Sequence, residues 1–152
     1  NRALYMNPKL VILEWLKHVR QPRKELGGKS ICPFAVLPRI VEVNLLDESC
    51  FDNLSDEITI YVEKTIDSTF EELNLVVEKL NKLYPNHIFL PDHPHRKTYI
   101  QGIETGNGHL PLIISQTKKE LTEAREKISK TDYYDYWDKE YLTEIKNYGK
   151  SK

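Results

Sequence analysis

The sequence predicts one α+β domain, or an α/β one, in which a small mixed sheet of three to five strands carries about four helices. Three observations lead there. Residues 39–48 and 57–64 alternate apolar and polar side chains with the period of two expected of half-buried strands. Residues 9–20, 69–84, 117–129 and 132–148 instead repeat apolar side chains at three and four, the spacing of a helix with one buried side. The succession of a strand at 57–64, a helix at 69–84 and a strand at 87–91 is the order of a right-handed crossover between parallel strands.

In the first helix, Pro8 suits the opening turn, and Val11 or Ile12, Trp15, Leu16 and Val19 share one side. The proline and two glycines of QPRKELGG stop regular structure near Gly27 or Gly28. In RIVEVNLLDE, Val41, Val43 and Leu45 alternate with Ile40, Glu42 and Asn44, and EITIYVEK sets Ile58, Ile60 and Val62 on one side. The link SCFDNLSD reads equally as a hairpin connection or a brief helical turn. The helix at 69–84 has the clearest signals: capping-box spacing at Ser68 and Glu71 or at Thr69 and Glu72, a stripe of Leu73, Val76, Val77, Leu80 and Leu83, and Pro85 as its stop. HIFLP is the third strand, a short strand is expected at 98–103, and LPLIIS leads into a helix opened by Thr117 and Glu120. The last helix, with Thr131 as N-cap and Gly149 as stop, brings Tyr134, Trp137, Tyr141, Ile145 and Tyr148 to one side.

With 39% apolar and 30% charged residues mixed along 152 positions, the chain has the make-up of one globular domain, residues 1–152. A net charge of −1 gives no general attraction to nucleic acid or to anionic membrane, and no apolar run approaches the roughly 18–20 residues of a spanning helix. NRALYMNP has no charged-then-apolar secretion signal and no methionine before Met6. Cys32 and Cys50 are therefore read as free thiols in a reducing cytoplasm rather than as a disulfide.

The stretch GGKSICPFAVLP ends like a phosphate-binding loop, but the loop needs glycine where this chain has Arg23. Its better feature is Cys32. Lys29 and two glycines nearby would favour a nucleophilic thiolate, while the apolar PFAVLP suits a buried structural thiol. PDHPHRK gathers Asp92, His93, His95, Arg96 and Lys97 just past a strand end, where ligands of α/β sheets bind. His93 or His95 is a candidate base. The same pair, with Asp92 or His109, is a candidate metal site, against the plainer reading of a solvated loop. Arg96 and Lys97, with Asn107 and His109 of the ETGNGH turn, are candidates to hold an anionic group.

SICPFAVLPRIVEVNLLDES, IFLPDHPH and GNGHLPLIISQTKKEL together resemble the bacterial proteins grouped as domain of unknown function 1415. In that family an N-terminal helix leads into a CPFA corner and then a strand. The positions the resemblance carries over are Cys32, Pro33, Phe34, Ala35, Pro91, Asp92, Asn107 and Pro111. Leu90 departs from the family's turn, which has histidine there, and the aromatic last helix has no counterpart. The resemblance implies a fold class and a site location, and no reaction.

Two readings of function follow. In the first, the chain is a small enzyme or ligand-binding protein that takes a small anionic molecule, with Cys32 as nucleophile or thiol contact, His93 or His95 as base with Asp92, and Arg96 and Lys97 on the substrate. In the second it is an interaction module or a homo-oligomer subunit whose contact face is Tyr134, Trp137, Tyr141 and Tyr148. A metal-binding protein built on His93 and His95 is a further alternative.

Overall fold

The computed structural model describes residues 7–32 and 36–149. Pro33, Phe34 and Ala35 of the CPFA corner lie outside the described residues. The architecture is α+β. Helix α1 spans Pro8–Arg20, β1 Arg39–Glu42, β2 Thr59–Val62, α2 Phe70–Leu83, β3 His87–Asp92, β4 Tyr99–Ile100, β5 Ile103–Glu104, β6 Leu112–Thr117, α3 Lys118–Ser129 and α4 Lys139–Asn147. Three 3-10 turns lie at Lys24–Leu26, Glu48–Phe51 and Tyr133–Tyr136.

The main sheet runs β1-β2-β6-β3, with β1 and β2 parallel and β6 antiparallel to both its neighbours. The passage from β2 through α2 to β3 therefore joins parallel strands, but β6 lies between them. Because β1 and β2 are parallel, their link cannot be a hairpin. It contains the 3-10 turn Glu48–Phe51, in whose first turn the Ser49 N–H is taken by the Asp47 side chain. β4 and β5 form a separate hairpin across Gln101 and Gly102, both with positive φ.

Strand alternation divides the core between the two faces of the sheet. On one face Tyr61, Phe89 and Ile113 meet Leu73, Val77 and Leu80 of α2, together with Leu45 and Phe51. On the other, Ile60, Val62 and Leu112 meet Ile12 and Leu16 of α1. A third cluster extends the second face, where Val19, Leu26, Ile31, Ile100 and Ile103 pack with Trp137 and Tyr141.

Helix α2 starts at Thr69, which forms a full capping box with Glu72. The other candidate cap, Ser68, donates its hydroxyl to Glu63 instead. β3 is an edge strand, and Asn81 of α2 occupies it: its amide accepts from the Phe89 N–H at 2.9 Å and donates to the Phe89 carbonyl at 3.1 Å.

The last predicted helix is divided. Trp137 has φ −85° and ψ 143°, an extended backbone that separates the 3-10 turn from α4. Thr131 caps no helix there. Its hydroxyl donates to the Ile128 carbonyl at the end of α3 and accepts from the Tyr133 N–H. A continuous helix would carry Trp137 along one straight stripe; the break turns its ring into the third cluster, where burying an indole is worth more than one unbroken turn of hydrogen bonds.

Candidate functional site

The sheet separates the residues that the sequence joins into a Cys–His pair. Cys32 is half-buried beside the third cluster, with its N–H donating to Val19 O at 2.9 Å, on the face shared with α1. His93 belongs to the other face. It is buried under the start of α2, Nε2–H donates to Ser68 O at 2.6 Å, and Nδ1 accepts from the His95 N–H at 3.0 Å. These two bonds fix the tautomer and occupy both ring nitrogens, so His93 has no lone pair to offer a substrate or a metal. His95 is exposed, its ring 5.1 Å from that of His93. The cleft that Cys32 lines has no histidine in its wall. The predicted nucleophile and base are thus not assembled.

Asp92 and Asn107 do meet, in a structural role. One carboxylate oxygen accepts from both the backbone N–H of Asn107, at 2.9 Å, and its side-chain amide, at 2.6 Å. Asn107 also donates to Leu110 O and accepts from the N–H groups of His109 and Leu110. Gly106 lies so close to the Asp92 carboxylate that a Cβ there would collide with it. The predicted cations are also committed. Arg96 forms a two-pronged ion pair with Glu144 and lies 4.6 Å from the Phe70 ring centroid, and Lys97 pairs with Glu104 at 3.2 Å. His109 is exposed on the far side of Asn107. Among the described residues no three His, Cys, Asp or Glu side chains converge as metal ligands, so His93 and His95 gain no third ligand there. The physical reason is that His93 and Asp92 spend their ligand atoms on backbone and amide groups.

Burial pushes the Asp92 carboxyl above its ordinary value of 3.8, against the two Asn107 hydrogen bonds that favour the charged form. A raised folded pKa means the folded state keeps the proton where the unfolded chain has released it. Its contribution to stability is therefore present below about 3.8 and falls as pH rises through the folded value. Asp92→Asn, which keeps an acceptor for Asn107, is expected to gain in stability relative to the native chain between pH 4 and pH 7. Urea unfolding across that range checks this, and a difference that does not change with pH would refute it.

An apolar concavity lies on the α1 side of the sheet. Helices α3 and α4 each present a half-buried stripe, Leu121, Ala124, Arg125 and Ile128 on one and Tyr141, Leu142 and Ile145 on the other. Neither helix has a buried residue. The stripes face Ile60, Leu90 and Ile114 of the sheet across a cleft of about 490 Å³. Trp15, Cys32, Tyr133, Tyr134 and Trp137 complete its walls.

Three of the four aromatic residues that the interaction-module reading offers as a contact face, Tyr134, Trp137 and Tyr141, belong to that wall. Tyr133, Tyr134 and Trp137 pack with centroids 5.2 to 5.6 Å apart, and Trp137 stacks on Tyr141 at 5.6 Å and 21°. The Tyr141 hydroxyl donates to Thr105, and the Tyr133 hydroxyl to Ile31 O. Burial pushes the Tyr133 phenol up, with Cys32 nearby adding to the shift. The Trp137 indole N–H weakly favours the ionised phenol but makes no hydrogen bond of acceptable geometry. Tyr148 is elsewhere, packed on the α2 face with its hydroxyl donating to Asn74. Tyr134, Trp137 and Tyr141 thus face inward, and Tyr148 covers the opposite core.

Arg125 is the functional candidate that sequence reading passed over. Its signal is a charged residue inside an apolar stripe, at four from Leu121 and three from Ile128. No family model, curated protein or solved structure matches this chain. No helix among the described residues is long and apolar enough to cross a membrane.

Proposed function

We propose that the protein binds a small, largely apolar molecule in the cleft between its sheet and the α3–α4 layer. One observation carries this reading: two amphipathic helices turn their apolar stripes toward the sheet without closing on it, although apolar surface that can close against a core normally does so. The cleft's volume of about 490 Å³ lies within the roughly 300–1,000 Å³ typical of ligand sites. Its walls are aliphatic on the sheet and on α3 and aromatic around Tyr133, Tyr134, Trp137 and Tyr141, with Arg125 and Lys146 among its polar groups. Cys32 lines it as a soft, polarisable contact.

Both tryptophans of the chain, Trp15 and Trp137, lie in the cleft wall, so their emission reports occupancy. An uncharged apolar fluorophore, N-phenyl-1-naphthylamine, is expected to bind at one saturable site and to quench that emission by energy transfer. Ala124→Phe, which fills the cleft from α3, is expected to weaken binding at least tenfold while leaving the far-ultraviolet circular dichroism unchanged. Saturable binding that Ala124→Phe leaves intact would remove the cleft as the site.

A further inference from the structure

In the cleft wall Arg125 is paired with no carboxylate among the described residues. Arg125 is half-buried in the apolar stripe of α3, and among the described residues its one hydrogen bond is a long one, 3.4 Å, to the carbonyl of Ile145 on α4. Glu120, which also reaches the lining, forms no ion pair with Arg125. The exposed Arg96 is clamped by Glu144, while the half-buried Arg23 and Arg39 donate to neutral acceptors at 3.0 to 3.5 Å, Arg23 to His18 and Arg39 to Thr59 and Tyr61; Arg125 has only the bond to Ile145 O among the described residues. A second cation stands close by: Lys146 Nζ lies 4.9 Å from the centroid of the Tyr134 ring, and both Lys146 and Tyr134 line the same cleft.

A guanidinium shielded from water without an anion is costly, and proteins retain such groups where a ligand supplies the missing charge. Burial holds the Arg125 pKa below its ordinary value, with Tyr134 as the one electrostatic group opposing the fall. The guanidinium fork, with five N–H donors, matches a carboxylate in two parallel hydrogen bonds, a geometry that a lysine cannot reproduce.

Resting on the reading of the cleft as a ligand site, we infer that its ligand is an amphipathic carboxylate with a flat apolar body. The carboxylate sits on Arg125, with Lys146 adding charge across Tyr134, and the body lies between Ile114 of the sheet and the Trp137–Tyr141 stack. Aromatic faces and a half-open slot favour a planar ring system over a branched chain.

Calorimetric titration with 2-naphthoate and with 2-naphthamide separates the two layers of this reading, because the ligands share size and shape and differ in charge. The native protein is expected to prefer the carboxylate by about tenfold or more, the worth of one charge-assisted hydrogen bond. Arg125→Gln is expected to abolish that preference and leave the amide's affinity unchanged, and Arg125→Lys to retain part of it. Equal affinities in the native protein, or a preference that survives in Arg125→Gln, would overturn the carboxylate assignment alone. If neither ligand binds, the cleft reading and the carboxylate assignment fall together.

Discussion

Phe89→Ala is expected to destabilise the protein by about 3–5 kcal/mol, the range for truncating a fully buried aromatic. Phe89 is 0% exposed. Its ring meets Phe51 edge-on at 6.3 Å and Tyr84 at 6.1 Å, and it shares a cluster with Tyr61, Leu73 and Ile113. None of these neighbours can move in without opening a gap of its own, because the sheet and α2 hold them from both sides. The loss is a large share of the roughly 5–15 kcal/mol of a typical domain and should lower Tm by about 6–20 °C. Thermal unfolding followed by circular dichroism measures it. The substitution leaves the Asn81 clamp on the Phe89 backbone in place, so the effect isolates packing from edge pairing. A loss below about 1 kcal/mol would mean that the α2 face tolerates a void and is not the closed core described.

That core was legible in the sequence because it depends on local periodicity. The alternation at Ile60, Tyr61 and Val62 assigns side chains to faces directly, and Thr69 with Glu72 marks where α2 begins. Long-range choices were not legible. β6 enters between β2 and β3, which no local pattern specifies, and that insertion fixes His93 and Cys32 on opposite sides of the sheet. The cluster at residues 92–97 looked like a site because it is dense in titratable groups. Those groups are already committed, mostly to partners outside the cluster: Asp92 to Asn107, His93 to Ser68 and the His95 N–H, and Arg96 to Glu144. The aromatic stripe was visible, yet its direction depended on the break at Trp137, where tertiary burial overrides helix propensity. Arg125 was visible only as one charge among many, since the absence of a carboxylate beside it among the described residues is a property of the assembled layer.

Gly27→Ala is expected to cost about 2–5 kcal/mol and, with it, much of the cleft's affinity for N-phenyl-1-naphthylamine. Gly27 has φ +63°, a left-handed conformation that costs a side-chain-bearing residue about 1–2 kcal/mol. An added Cβ would also stand 2.7 Å from the Tyr136 ring, and relieving that overlap adds about 1–3 kcal/mol. The adjacent Gly28 is the control. It too has positive φ, at +85°, but nothing lies within 4 Å of a Cβ built there, so Gly28→Ala should cost only the backbone strain. The contrast gives GGK its physical meaning. Gly27 makes room for Tyr136, while Lys29 pairs with Asp132 and approaches the same ring at 5.9 Å, so the motif seats the segment that carries Tyr134 and Trp137. Displacing Tyr136 should tilt that segment away from the sheet, widening the cleft before the fold gives way. Chemical unfolding of both variants, beside titration with the fluorophore, tests the claim. Equal losses for Gly27→Ala and Gly28→Ala would mean that the Tyr136 contact contributes nothing. A Gly27→Ala protein of reduced stability with native affinity would mean that the aromatic wall is held by α4 alone.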